Sequence, residues 1–242
     1  MTAVRRRTAS DATVHTIDGW HAPHGADHPP HASIHQWSSV LKRAPRSPEL
    51  LVLVLPGGTD ESTEPFRPWQ PSALRMYPFT WSIAVRFGRA VSVRQVRYGV
   101  YGWNGDEASP LPYAREALES LTARHPGVPV VVVGHSMGGR VAAHLAADHR
   151  VVGVLALAPW WQFADWREIR DGVRVMAIHG SADRRTYPDR TEKGIRELSE
   201  RGVRATYVSV PDGEHAMLDH VGLWQGAALD FVATVLADVR TR

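Results

Sequence analysis

The sequence predicts an α/β protein, a doubly wound and mostly parallel sheet with helices on both faces. Three observations carry the prediction. Leu50 to Leu55 and Val130 to Val133 are apolar runs with no polar alternation, which suits strands buried on both faces. From residue 50 to the end, strand-like runs alternate with helix-period segments across connections of ordinary length. The chain has 242 residues, 43% hydrophobic and 22% charged, enough to enclose such a sheet in one domain.

Residues 1–48 form an N-terminal segment in which Val14 to Ile17 and Ile34 to Leu41 are expected as short strands opening the sheet. Between them Trp20-His-Ala-Pro-His-Gly-Ala-Asp-His-Pro-Pro-His reads as a histidine- and proline-rich loop. Its prolines prevent a helix from placing two histidines on one face, so no metal site is expected there. Residues 49–242 form the principal domain. Leu50 to Leu55 is a buried strand ending in Pro56-Gly57-Gly58-Thr59, glycines that let backbone N–H groups approach a ligand. Residues 72–88 carry Leu74, Tyr77, Trp81, Ile83 and Phe87 at helical spacing, with Pro78 as a kink point.

Val91 to Val96 is the next strand. After it, Asp106 and Glu107 stand side by side in a turn-rich loop, where solvated carboxylates are expected rather than an acid–base pair. Leu111 to Ala123 is a helix, Val130 to Val133 the central strand, and Met137 to His149 an alanine-rich helix. Val151 to Ala158 is a strand whose exit contains Trp160, Trp161, Phe163 and Trp166. The strand Arg174 to His179 ends in Gly180-Ser-Ala-Asp183. Asp189 to Arg201 is a helix, Ala205 to Val210 a strand ending in Pro211-Asp-Gly-Glu-His215, and Leu218 to Val239 the closing helix.

Composition narrows the chemistry. There is no cysteine, so disulfides and thiolate nucleophiles are excluded. The net charge is +3, with basic residues dispersed among acidic ones and no block beyond Arg5-Arg6-Arg7, which argues against nucleic-acid binding. No run is long enough to insert into a bilayer, and the basic N-terminus has no apolar segment behind it. A cytoplasmic location is therefore expected.

Between the central strand and its helix lies Gly134-His135-Ser136-Met137-Gly138, a G-x-S-x-G match. At a strand-to-helix junction this motif makes a turn so tight that only glycine fits beside the serine. The hydroxyl is then held out at the carboxyl edge of the sheet, at the positive end of the helix dipole. In a sheet of this kind ligands bind at the carboxyl ends of the strands. Four such ends carry Gly57-Gly58, Ser136, Asp183 and His215.

Across roughly residues 50 to 239 the chain resembles the α/β-hydrolase superfamily. The resemblance rests on the elbow Gly134-His135-Ser136-Met137-Gly138, on His179-Gly180-Ser181-Ala182-Asp183 and on Asp212-Gly213-Glu214-His215, in the order Ser, Asp, His. It implies Ser136 as nucleophile, His215 as general base, and Asp183 as the carboxylate that orients the imidazole. It also implies an oxyanion hole from the amides of Met137 and Gly58. Asp189 is the alternative to Asp183, while His179 and His220 are alternatives to His215. Pro56 departs from the histidine many relatives carry before the glycines, and Arg184-Arg185 from the usual apolar residue after the aspartate. The link from Ala158 to Arg174 is too short for the helical cap of many relatives, which suggests an open site.

Trp160, Trp161 and Phe163, with Thr59, are then expected to wall the substrate pocket, packing over the sheet being the other reading for the aromatics. The expected function is cleavage of a carboxylic ester or related acyl bond of a small molecule through an acyl-enzyme, with no metal and no cofactor. Two alternatives remain open: acyl transfer or perhydrolysis by the same triad, and a non-catalytic binding protein on the hydrolase scaffold.

Overall fold

The computed structural model describes residues 14–16 and 45–241. The expected strand at Ile34 to Leu41 and the histidine-rich loop lie outside the described residues. The strands are β1 (Val14–Thr16), β2 (Leu50–Leu55), β3 (Val91–Gln95), β4 (Val130–His135), β5 (Val151–Leu157), β6 (Arg174–Gly180) and β7 (Arg204–Val210). They form one sheet in the order β1-β7-β6-β5-β4-β2-β3. Every strand pairing among the described residues is parallel. The helices are α1 (Pro71–Leu74), α2 (Tyr77–Phe87), α3 (Pro110–Arg124), α4 (Met137–Leu145), α5 (Pro188–Glu200) and α6 (Val221–Arg240).

The unbroken apolar runs follow from burial on both faces. In β2, Leu51, Leu53 and Leu55 join the core beneath α3, α4 and α5, while Leu50, Val52 and Val54 join the core beneath α2 and α6. Val132 and Val131 of β4 divide the same way. Successive side chains point to opposite faces, so a strand covered on both sides has no solvent-facing position.

Chain order reverses beside β2: β3 lies on one side of it, and β4 to β7 extend on the other. Such a switch point opens a crevice at the carboxyl ends of the flanking strands, here Leu55 of β2 and Gly134 of β4, which pair directly.

Some helix boundaries differ from the sequence expectation for local reasons. The single helix expected over 72–88 is divided between α1 and α2, with Pro78 in the first turn of α2, where its missing N–H is tolerated. The helix after Ser136 stops at Leu145 rather than His149, and Asp148 holds the following turn by accepting the backbone N–H and guanidinium of Arg150. The closing helix starts at Val221, because His220 takes a left-handed conformation with φ 47°. No helix among the described residues is long and apolar enough to cross a membrane.

Candidate active site

The elbow is built by close backbone approach. A Cβ on Gly134 would run into the carbonyl of Gly138, and one on Gly138 into the carbonyl of Leu55. Glycine at both positions lets β4, α4 and the end of β2 converge on Ser136. Ser136 itself has φ 55° and ψ −118°, a conformation that costs a non-glycine residue about 1–3 kcal/mol. Surrounding bonds hold it there. Its N–H donates to the Leu157 carbonyl at 3.0 Å, and its carbonyl accepts from Gly139 at 2.9 Å and Trp160 at 3.0 Å.

A second pair of glycines joins the other two loops. A Cβ on Gly180 would meet the carbonyl of Gly213, so the ends of β6 and β7 lie backbone to backbone. The Ser181 N–H donates to Val210, the Ala182 N–H to Gly213, and the Asp212 N–H to the Ser181 hydroxyl. This seam sets Asp183 and His215 side by side although they are 32 residues apart in sequence.

The three predicted side chains meet in one line. His215 Nε2 lies 3.1 Å from Ser136 Oγ, and His215 Nδ1 lies 2.8 Å from Asp183 Oδ2. The alternatives do not. Asp189 is exposed in the first turn of α5, and His220 caps α6. His179 is wholly buried and donates from Nε2 to Asp183 Oδ2 at 3.0 Å, while its Nδ1 faces the Thr191 hydroxyl at 2.9 Å.

Asp183 accepts five hydrogen bonds. Its Oδ1 takes the N–H groups of Arg185 and Thr186 at 2.7 and 3.1 Å. Its Oδ2 takes His215, His179 and, at 2.7 Å, the Thr186 hydroxyl. Burial by itself raises the carboxyl pKa, but donation from His179, His215 and Thr186 and the nearby His215 charge outweigh it. The group is held well below the usual carboxylate range. Burial pushes His179 downward, with Asp183 opposing, so the ring is neutral and its Nε2 carries the proton it donates.

His135 performs a second alignment. Buried beside the elbow, it donates from Nε2 to the carbonyl of His215 at 2.9 Å, and the two rings sit 4.9 Å apart. Burial, reinforced by the proximity of His215, pushes its pKa down to about 3, so the ring stays neutral.

The loop after β2 closes the other side. A Cβ on Gly57 would lie 3.4 Å from the Ser136 Cβ, and one on Gly58 would lie 2.5 Å from the Met137 Cε. Neither the Gly58 nor the Met137 N–H donates to an acceptor among the described residues. Thr59 is exposed and turns its hydroxyl to the Glu61 carbonyl. Asp106 and Glu107 are exposed.

The expected aromatic wall divides. Trp160 is half-buried next to Ser136, and Phe163 is 63% exposed. Trp161 departs from the expectation: it is 2% exposed, donates to the Gly139 carbonyl at 3.1 Å and packs on Trp166. It belongs to the core cluster that includes Val141 and Leu145 of α4. The link from Ala158 to Arg174 holds only a short 3-10 turn at Asp165–Glu168 and no cap helices.

Sequence reasoning missed Thr186, the alignment by His135, and the role of His179 as partner to Asp183 rather than to Ser136. It also missed Trp103 and Arg140 beside the elbow. The available signals were faint: Arg140 stands one helical turn past the serine, and His179 stands four residues before the aspartate. Among the described residues no group of three or more His, Asp or Glu side chains could hold a metal ion.

The profile of the alpha/beta hydrolase family matches residues 112–234, and the chain belongs to that family. No curated protein matches the sequence. Solved structures share the fold. An α/β serine hydrolase without a lid from Xanthomonas campestris is 18% identical, with a TM-score of 0.61 over 79% of this chain and 86% of that one. Est1E from Butyrivibrio proteoclasticus is 13% identical, with a TM-score of 0.56 over 81% and 91%. An acetyl ester-xyloside bifunctional hydrolase from Caldicellulosiruptor lactoaceticus is 15% identical, with a TM-score of 0.56 over 80% and 85%.

Proposed function

We propose that this hydrolase cleaves carboxylic esters of small molecules through an acyl-enzyme on Ser136. The observation that carries the reading is the continuous line from Ser136 Oγ through the His215 ring to Asp183 Oδ2. Because Asp183 only accepts, His215 keeps its proton on Nδ1 and presents the Nε2 lone pair to the serine hydroxyl. As Oγ bonds to the acyl carbon, His215 Nε2 takes its proton, and the carbonyl oxygen becomes an oxyanion. The Gly58 and Met137 N–H groups, together with the positive end of α4, stabilise that charge. Collapse expels the alcohol, which takes the proton from His215. Water then attacks the acyl-enzyme with the same base, releasing the acid and restoring Ser136.

Every step is assigned to side chains or amides of the chain, and none to a cofactor. The absence of cap helices in the 158–174 link favours an open site. Est1E has been solved with ferulic acid bound, and the Caldicellulosiruptor relative is described as hydrolysing an acetyl ester, which supports an ester as substrate class. A cytoplasmic location belongs to the same proposal.

A fluorophosphonate probe tests it. The parent should be labelled at Ser136 and hydrolyse p-nitrophenyl esters, and Ser136→Ala should do neither. Labelling without turnover of any ester in a graded series would instead favour acyl transfer. No labelling of a folded parent would reject the reading.

A further inference from the structure

Arg140 is the one buried arginine among the described residues, at 8% exposure. Its guanidinium lies 3.9 Å over the Trp103 ring and 4.8 Å from the ring centres of Trp160 and Phe163. Its Nε donates to Asp165 Oδ1 at 2.7 Å, an oxygen that also accepts from His144 Nε2 at 3.1 Å. The other carboxylate oxygen accepts the Phe163 N–H at 3.3 Å. The pair is therefore single-pronged. Nη1 and Nη2 donate to nothing among the described residues.

Two other arginine–carboxylate pairs among the described residues engage both oxygens. Arg150 grips Asp148 with Nε and Nη2, one to each oxygen, and Arg240 grips Glu49 the same way. Both of those pairs are far more exposed. A buried guanidinium gains most from a full set of acceptors, yet here the aromatic rings orient the fork and leave its terminal edge unmatched. An oriented, unmatched fork is complementary to a planar two-oxygen anion.

The residues of the cage are tied by their backbones to the elbow and to the loop after β2. The N–H groups of Arg140 and Trp160 both reach the Ser136 carbonyl, at 3.3 and 3.0 Å. Trp103 donates its N–H to the carbonyl of Thr59, one residue past Gly58.

We propose that Arg140 sets substrate specificity, its Nη edge binding a carboxylate carried by the ester while Trp103, Trp160 and Phe163 enclose the neighbouring apolar part. The inference rests on the serine-hydrolase reading above and names its substrate class. The carboxylate can belong to the acyl part or to the alcohol part, and both present the same anion to the guanidinium.

The test compares matched esters at neutral pH. In the acyl arm, p-nitrophenyl glutarate monoester is set against p-nitrophenyl valerate. In the alcohol arm, the butyrate ester of 3-hydroxybenzoate is set against phenyl butyrate. In at least one arm kcat/KM should favour the acid by about tenfold or more, mainly through KM, as charge-assisted bonds warrant. The arm that shows the preference identifies which part carries the carboxylate. Arg140→Gln should abolish that ratio, and Arg140→Lys should restore only part of it, since a point charge cannot grip both oxygens. Equal kcat/KM for acid and neutral ester in both arms of the parent, or a preference that survives Arg140→Gln, overturns the proposal. If Arg140→Gln does not fold, or the parent turns over neither member of a pair, calorimetry on folded Ser136→Ala protein decides. In at least one arm the acid ester should bind at least about tenfold tighter than its neutral partner, and equal binding in both arms overturns the proposal. Absence of all turnover counts against the esterase reading, whereas turnover without acid preference counts against Arg140 alone.

Discussion

His179 and His215 share one oxygen. Asp183 Oδ2 accepts His215 Nδ1 at 2.8 Å and His179 Nε2 at 3.0 Å, with His179 lying wholly in the interior. The outer histidine faces Ser136, and the inner one is anchored by the Thr191 hydroxyl. A carboxylate gripped from behind cannot rotate away from the ring it must orient.

His179→Leu is therefore expected to lower kcat about tenfold with little change in KM, because the lost alignment affects the chemical step rather than substrate binding. His179→Gln, which keeps a donor, should recover part of the loss. Steady-state kinetics on a p-nitrophenyl ester check this, and a change in KM alone would place His179 outside the alignment of the triad.

Acid should destabilise the fold early. The folded pKa of His135 is pushed down to about 3, and that of His179 is also lowered. Exposed histidine titrates at about 6.5, so on acidification the unfolded chain takes up protons first. The stability contributed by these neutral rings is complete above about pH 6.5 and is lost as pH falls through and below that value, at up to about 1.4 kcal/mol per pH unit for His135, with His179 acting in the same direction. Asp183, depressed in the folded state, adds its own loss only below about pH 4. Urea denaturation at about pH 7 and about pH 5 should show the decline, and His135→Phe should flatten it.

Ser136→Gly should be more stable than Ser136→Ala by about 1 kcal/mol. Both remove the hydroxyl, but only glycine relieves the backbone at φ 55°. Thermal melts of the two inactive proteins measure the difference. Equal stability would mean that the elbow stores no strain.

Asp183→Asn should reduce kcat by about a thousandfold or more, because the amide cannot hold the imidazole in its working tautomer. Asp189→Asn, altering an exposed carboxylate at the start of α5, should leave kcat within about twofold. The reverse pattern would move the acid to Asp189.

Neighbouring tryptophans should separate by phenotype. Trp161→Ala empties a site in the core and should cost about 3–5 kcal/mol in chemical denaturation. Trp160→Ala should instead alter the relative kcat/KM across esters of graded chain length. An unchanged chain-length profile would assign Trp160 to packing.

Much of this was legible in the sequence because it follows from local rules. A β-branched run such as Val130 to Val133 has only one environment that suits it, and glycines at 134 and 138 mark a turn that no other residue fits. The expected helix through Pro78 divided close to that proline. Less was legible where a contact crosses the sheet edge. His179 reads as the end of a strand, since nothing in its neighbours reveals that its ring reaches Asp183 rather than packing in apolar surroundings.

Taken alone, the sequence determined the alternation of elements, the buried strands and the residue types gathered at the carboxyl edge. Periodicity and backbone sterics act over a few residues and can be read from one segment at a time. Tertiary structure decided which histidine meets Ser136, which tryptophan turns inward, and that Arg140 lies beneath Trp103, Trp160 and Phe163 with its fork unmatched. These outcomes depend on how loops from different strands close over one another. Each loop's conformation is chosen by backbone contacts such as that between Gly180 and Gly213, and by burial shared among residues far apart in the chain.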